Sequence, residues 1–263
     1  MGKVIAIVNQ KGGVGKTTTT VNVSAYLAEK GKKVLLVDID PQGNATIGLG
    51  IDKHAEEANI NDVLMGDENL AAVIKKTSIE GLFLAASNVN LAGAEIQLVE
   101  MEEREFRLKQ SLAEVKKDYD YIMIDCPPAL GLLTLNSLVA ADSVLIPIQC
   151  EFYALEGLAR LLETVELVKD SLNPQLMIEG ALITMFDSRT SLSVQVLEEI
   201  KKKFKNRAYE TIIPRNVRLS EAPSFGKPIS LYDKSSRGAK AYEHLAEEII
   251  KSEKHASKER SSK

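Results

Sequence analysis

Two lysines five residues apart, Lys11 and Lys16, bracket a glycine-rich turn in VNQKGGVGKTTTT (8–20). Gly12, Gly13 and Gly15 let backbone N–H groups turn inward toward an anion, and a helix opening at Lys16 adds the positive end of its dipole. Gly15-Lys16-Thr17 matches the C-terminal half of the phosphate-binding loop, where the lysine reaches the β- and γ-phosphates of ATP and the threonine hydroxyl binds Mg2+. Val14 and Thr18 complete the stretch expected to hold the nucleotide. The usual first glycine of such a loop is Gln10 here, directly before Lys11. One cation at a triphosphate has an evident task, and a second implies a task elsewhere.

Carboxylates end two apolar runs: VDIDPQGNAT carries Asp38 and Asp40, and YIMIDCPP carries Asp125. Residues two apart on a strand point to one face, so Asp38 and Asp40 are expected to address the same Mg2+ and water. Asp125 is the expected acidic partner of Mg2+ through water. Three such carboxylates after a phosphate loop fit hydrolysis of ATP, which needs positioning and charge stabilisation more than covalent chemistry. No arginine near the loop is placed as a finger in cis, so weak basal turnover raised by a partner is expected.

Short Val- and Ile-rich runs position these groups: 3–8, 33–40, 82–87, 119–125, 143–149, 178–185 and 209–213. Without strict alternation they read as strands buried on both faces, hence a doubly wound, mostly parallel α/β sheet flanked by helices. Helices are expected near 15–30, with Gly31 as a left-handed cap, and near 102–117, 133–141, 154–171, 191–205 and 236–251. The 263 residues read as a single domain, 1–253, followed by a polar tail, 254–263, expected to be frayed and disordered.

The composition, 44% hydrophobic and 27% charged, is that of a globular chain without a run long enough to span a bilayer. The opening MGKVIAIVNQ enters a strand-like run and lacks a signal peptide's features, so a cytoplasmic location is expected. Cys126 and Cys150 show no CxxC spacing and read as buried thiols, while His54, His244 and His255 are scattered. The net charge of −4 hides an asymmetry: residues 200–263 hold 16 Lys/Arg against 8 Asp/Glu, leaving 17 against 29 for the rest. A basic face on an acidic protein remains compatible with a polyanionic partner.

The form KGGVGKT, with VDIDPQGNAT, IDCPP, QCEFYALEGL, TMFDSRTSLS and IPRNVRLSEAPSFGKPI, resembles the ParA/MinD superfamily of deviant Walker A ATPases across essentially the whole chain. The later blocks resemble chromosomal ParA proteins of the Soj type. The resemblance implies an ATP-dependent homodimer in which Lys11 crosses to the other subunit's nucleotide, so that Lys11, Lys16 and Asp40 act in catalysis. It also implies that Asp40 orients the attacking water, Asp38 supports it and the metal shell, and Met185, Pro214, Arg215 and Asn216 border the adenine. From the residues alone, Pro214 ends a strand and Asn216 is able to hydrogen-bond a base edge.

The same resemblance implies non-specific binding of double-stranded DNA, a nucleoid-associated location, and a ParB-type centromere-binding partner that stimulates hydrolysis through a basic peptide. Arg189 and Arg218 fall where family members carry DNA-binding arginines. Lys227, Arg237 and Lys240 extend the basic set, and the spacing of Arg237, Lys240 and Lys251 returns them to one helix face. A solvated helix face is the plain alternative for these charges. The tail has no apolar residue larger than alanine, so a MinD-like membrane helix is not expected. No carrier-type cysteine pair, C-terminal tyrosine cluster or N-terminal helix-turn-helix is evident. A small-molecule ligase such as dethiobiotin synthetase, with the same fold and loop, is the alternative from another class.

Overall fold

The computed structural model describes residues 2–55, 57–151 and 154–261, with side chains through Glu253. Phe152 and Tyr153 of the QCEFYALEGL block, and Ser262 and Lys263 of the expected tail, lie outside the described residues.

The strands are β1 (Lys3–Ile7), β2 (Val34–Asp38), β3 (Ile74–Lys76), β4 (Leu82–Ala85), β5 (Tyr121–Asp125), β6 (Ser143–Gln149), β7 (Met177–Phe186) and β8 (Ala208–Pro214). They form one sheet in the order β3-β4-β2-β5-β1-β6-β7-β8, parallel except for the β3–β4 pair. The helices are α1 (Lys16–Glu29), α2 (Asn44–Gly48), α3 (Ile60–Met65), α4 (Leu70–Val73), α5 (Leu91–Leu98), α6 (Arg107–Val115), α7 (Leu132–Ala140), α8 (Ala154–Ser171), α9 (Ser191–Phe204), α10 (Val217–Glu221), α11 (Ile229–Tyr232) and α12 (Arg237–Ser261).

All seven expected strands form, because runs such as VLLVD and YIMID are buried throughout and find apolar cover on both faces. One core cluster joins Ile5, Ile7, Leu36 and Met123 to the inner sides of α1 and α12. The opposite cluster joins Val4, Ala6, Val37 and Ile124 to α3 through α9. Alternate residues of each central strand thus serve opposite layers.

Three differences from the sequence reading have local causes. The antiparallel edge strand β3 was not expected, since three residues, IKK, give no periodic signal. The helices α2, α3, α4, α5, α10 and α11, also not expected, span only about one or two turns, too short for a 3.6-residue period to register. The final helix continues past 251 to Ser261, and its Ala-, Glu- and Lys-containing sequence favours helix without requiring apolar burial. Gly31 adopts the expected left-handed conformation, φ +79°, with its N–H donating to Ala28 O.

Candidate functional site

The parallel order brings the C-terminal ends of β1, β2 and β5 side by side, with Ile7 level with Asp125 and Asp38 level with Asp125. A loop leaving β1 therefore has to pass over the two buried carboxylates before α1 begins. Gly13 and Gly15 sit at φ +75° and +89°, backbone positions that side chains disfavour. At Gly12 and Gly13 nothing lies within 4 Å of where a Cβ would be, so the mouth of the turn is open. Val14 is buried, and its carbonyl accepts a 2.8 Å hydrogen bond from Thr184 Oγ1 on β7.

The two lysines point to different places. Lys16 is buried, and its ammonium donates to Lys11 O at 3.2 Å, inside the curl of the loop. Burial lowers its pKa, and the field of Asp125 opposes that shift. Lys11 instead extends out of the loop to an ion pair with Glu151, just beyond β6. Asn9 fixes this geometry, accepting from Lys11 N at 3.0 Å and donating to Pro147 O of β6 at 2.7 Å.

Asp125 is fully buried. Its Oδ1 accepts from Thr20 Oγ1 at 2.8 Å, the Thr17 hydroxyl lies near enough to draw its pKa down, and Oδ2 has no hydrogen-bond partner. Burial first, and neighbouring Asp38 second, push its pKa well above the usual carboxylate range. A buried, unpartnered carboxylate oxygen beside Thr17 and an open glycine turn fits a cation that the chain itself does not supply.

Asp38 and Asp40 divide differently from expectation. The strand stops at Asp38, so Asp40 lies in the following turn and the shared-face geometry does not apply. Asp38 accepts from Thr46 N at 2.8 Å, Thr46 Oγ1 at 2.7 Å and Asp40 N at 3.2 Å, which ties α2 and the Asp40 turn to the sheet. Burial raises its pKa against these bonds. Asp40 accepts from Gln42 N at 2.9 Å, while its own carbonyl is held by Ser87 Oγ at 2.7 Å. Among the described residues, no group of three or more His, Cys, Asp or Glu side chains forms a ready metal cage. Asp38 is hydrogen-bonded to Thr46, and Asp38 and Asp40 both lie near enough to Asp125 to raise its pKa. Mg2+ commonly takes one or two carboxylates, with phosphate oxygens and waters completing its shell.

The adenine set does come together. A cleft of ≈ 160 Å3 is lined by Gly15, Thr18, Met185, Pro214, Arg215 and Asn216, with Thr184, Ser220 and Tyr242. Asn216 caps α10, its Oδ1 accepting from Arg218 N at 2.8 Å, which leaves its amide N–H groups for a base edge. Met185 stands at φ +50°, a strained position for a side-chain-bearing residue, at the lip of this cleft.

The basic residues are distributed. Arg237 and Lys240 line one groove with Phe186, Pro214, His244 and the carboxylates of Glu210, Glu247 and Glu248. Arg189, 86% exposed at its side chain, clamps Asp187 through two hydrogen bonds and depresses that carboxyl's pKa, and Arg215 lies near enough to add to the effect. Arg218 is paired with Glu221 and Asp233. Lys227 stands apart, in a separate cleft with Thr17, Thr18 and Asn44. The turn at Gly226, φ +61°, and the bond from Ile229 N to Asn22 Oδ1 at 2.7 Å fold this segment back onto α1.

Sequence reasoning missed Asn9, Thr20, Thr46, Glu151, Thr184 and Tyr242. The TTTT run after Lys16 and the threonine closing DPQGNAT were the available signals for Thr20 and Thr46. Cys126 and Cys150 are both free and buried. No helix among the described residues is long and apolar enough to cross a membrane.

Known proteins place this geometry in a family. The model of the AAA domain family matches residues 2–178. The sporulation initiation inhibitor protein Soj of Bacillus subtilis is 62% identical over 249 residues, covering 95% of this chain and 98% of that protein. The chromosome partitioning protein ParA of Myxococcus xanthus is 53% identical over 251 residues, covering 95% and 89%. Among solved structures, cobyrinic acid a,c-diamide synthase from Mycobacterium smegmatis, with bound ATP analog and magnesium, superposes with a TM-score of 0.85 at 40% identity, covering 97% of this chain and 96% of that one. With this sheet order, this loop and these relatives, the chain belongs to the ParA/Soj family of chromosome-partitioning ATPases, within the ParA/MinD superfamily.

Proposed function

We propose that this chain binds ATP and Mg2+ at the loop, pairs face to face with a second copy across two nucleotides, holds DNA without sequence preference, and lets go after a ParB-type partner stimulates hydrolysis. The observation that carries the reading is the divergence of the two lysines: Lys16 occupies its own loop, whereas Lys11 leaves it for Glu151 at the surface. A cation held outside its own phosphate site is available to another subunit's, and two facing triphosphates need charge from both sides.

Within each subunit, Gly12, Gly13, Val14, Gly15 and Lys16 cradle the phosphates, and Thr18, Met185, Pro214, Arg215 and Asn216 border the base. Thr17 and Asp125 are the residues that would hold Mg2+. The ion, when bound, neutralises charge on the β- and γ-phosphate oxygens. Asp40 orients the attacking water, and Asp38 holds the Asp40 turn in place through its bonds to Asp40 N and Thr46. Lys11 and Lys16 stabilise the charge that develops on the transferred group.

Arg189, Arg218, Arg237 and Lys240 supply phosphate contacts that position DNA without reading it. Each monomer offers few such contacts, so doubling them in a two-fold dimer makes DNA affinity follow the nucleotide. Lys227, in its own cleft beside Thr17 and Thr18, is the outlying member of this set. Nucleoid association follows from the DNA contacts.

The name of the M. smegmatis protein favours one second reading, an ATP-dependent amide-forming synthase. The relatives named for sporulation and chromosome partition are more similar, at 62% and 53% against 40%. Light scattering with a non-hydrolysable ATP analogue and Mg2+, paired with a gel shift of random-sequence duplex DNA, separates the two. A dimer and retarded DNA with the analogue, and neither with ADP, are expected. A chain that stays monomeric and leaves DNA unshifted overturns the partition cycle.

A further inference from the structure

We propose that Asp187 and Glu221 set the threshold for DNA binding: each carboxylate occupies, within its own subunit, the arginine donors that a DNA phosphate needs, so one subunit alone holds DNA poorly and two paired subunits are required. This rests on the DNA reading above and adds to it the acidic residues that make DNA binding depend on nucleotide.

The Asp187 carboxylate meets Arg189 with both oxygens. Oδ1 accepts from Nε at 2.9 Å and from the Arg189 backbone N–H at 3.1 Å, and Oδ2 accepts from Nη2 at 2.7 Å. Arginine takes a phosphate with the same two-pronged geometry, so the two acceptors compete for one fork. The clamp stands on a fixed turn, because Thr190 N and Thr190 Oγ1 both donate to Asp187 O, at 3.2 and 3.1 Å, where α9 begins. Arg189 is exposed, yet it leans back on its own loop.

Arg218 repeats the arrangement on another segment. Its Nη1 donates to Glu221 Oε2 at 2.9 Å, and Asp233 Oδ2 lies 3.5 Å from its Nε. The same Glu221 oxygen accepts from the Tyr232 hydroxyl at 3.1 Å, and Tyr232 stacks on Phe225 with ring centres 5.0 Å apart. The competing carboxylate is therefore held in place. Arg237 and Lys240 differ: among the described residues neither makes an ion pair or a side-chain hydrogen bond. Of the acids in their groove, Glu247 is engaged by Lys30 at 2.8 Å, and Glu248 accepts from Glu210 N and Thr211 N of β8 at 2.8 and 3.1 Å. One subunit thus presents two unpaired cations on α12 and two arginines that must first give up an internal partner.

Magnitudes place the threshold between one subunit and two. Displacing an exposed ion-pair partner costs each arginine about 1.5- to 5-fold in affinity, so the two together cost a single subunit up to about 25-fold. Linking two weak sites raises avidity by about 100- to 10,000-fold, which exceeds that loss. No movement on ATP binding is needed, because pairing alone crosses the threshold.

The test measures affinity of the full chain for random-sequence duplex DNA by fluorescence anisotropy, with ADP and with a non-hydrolysable ATP analogue plus Mg2+. Asp187→Asn removes the charge and keeps an acceptor for the Arg189 N–H, and Glu221→Gln keeps one for Tyr232. Asp187→Asn is expected to bind DNA about 2- to 25-fold more tightly as the analogue-bound dimer, which uses two copies. It is also expected to bind measurably with ADP, while dimerisation by light scattering stays as in wild type. Glu221→Gln is expected to gain in the same direction by a smaller factor, because Asp233 remains beside Arg218. In an Arg189→Gln background the gain from Asp187→Asn is expected to vanish, since the carboxylate acts through that arginine. A gain that persists there comes from net charge alone and overturns the proposal. Unchanged binding of Asp187→Asn overturns it, and so does weaker binding, which means that the carboxylate positions Arg189 for DNA. A wild-type chain that binds no DNA in either state removes the DNA reading itself, and this assignment with it.

Discussion

The hydroxyls of Thr19 and Tyr242 lie 3.1 Å apart, joining the first turn of α1 to the first turns of α12 across 223 residues of sequence. Both groups are buried, and Tyr242 also lines the base cleft. The helix that begins at the phosphate loop is thus bolted to the helix that carries Arg237 and Lys240. Farther along, Lys30 on the α1 cap continues the seam to Glu243 and Glu247.

Tyr242→Phe keeps the ring and removes one buried hydrogen bond, at a cost of about 1 kcal/mol. For a chain of this size the expected fall in Tm is about 2–4 °C, with ATP affinity preserved. Tyr242→Ala also opens the cleft and is expected to weaken ATP binding measurably. Differential scanning calorimetry and a fluorescent-nucleotide titration check the pair. Equal ATP affinities for the two variants count against Tyr242 as a wall of the base site.

Asp125 makes stability depend on pH with a definite sign. Its folded-state pKa is raised, so between the ordinary carboxylate value, near 4, and the folded value the native chain holds a proton that the unfolded chain has released. Stability without nucleotide then falls as pH rises through that window. Asp125→Asn removes the buried charge and is expected to stabilise the nucleotide-free chain at pH 8 by about 1–3 kcal/mol while abolishing Mg2+-dependent turnover. Urea denaturation at pH 5 and pH 8 checks it, and a variant no more stable than wild type at pH 8 contradicts the sign.

Lys11 and Glu151 predict an opposed pair of phenotypes. Both side chains are about two-fifths exposed, 41% and 44%, so their ion pair is worth about 0.2–1 kcal/mol. Lys11→Ala removes the cation and is expected to leave a monomer that still binds ATP. Glu151→Gln frees the cation and is expected to lower the analogue concentration at half-dimerisation by about two- to fivefold. Light scattering across an analogue titration reads both. A rightward shift for Glu151→Gln means that Glu151 assists pairing instead of competing with it.

These residues mark where sequence reading reaches its limit. The loop was legible because Gly12 through Thr18 are contiguous and the glycines have one backbone reason to be there. Asp125 was legible because a buried run ending in a carboxylate beside such a loop has few other uses. Glu151, Thr184 and Tyr242 were not: their partners Lys11, Val14 and Thr19 lie 140, 170 and 223 residues away, and only the strand order brings them together. The hold on Asp38 was illegible for a related reason: it comes from the end of β2 and from Thr46, eight residues on.

Glycine substitutions give the last contrast, because the chain holds two kinds. Gly50 and Gly226 sit at φ +77° and +61° with their backbones in contact. A Cβ on Gly50 meets Gly226 O at 2.9 Å, and one on Gly226 meets Gly50 Cα at 2.7 Å. This contact joins the turn after α2, which Asp38 anchors through Thr46, to the segment leading into Lys227. Gly226→Ala is therefore expected to destabilise the chain by about 1–3 kcal/mol, since both dihedral strain and a backbone clash oppose it. Gly157 lies inside α8 with nothing within 4 Å of its Cβ position. Gly157→Ala is expected to stabilise by about 0.5–1 kcal/mol, through helix propensity and a less flexible unfolded chain. Chemical denaturation of both variants side by side checks the opposition. Equal signs mean that the Gly50–Gly226 contact relaxes at little cost and does not couple the Asp38 anchor to the Lys227 segment.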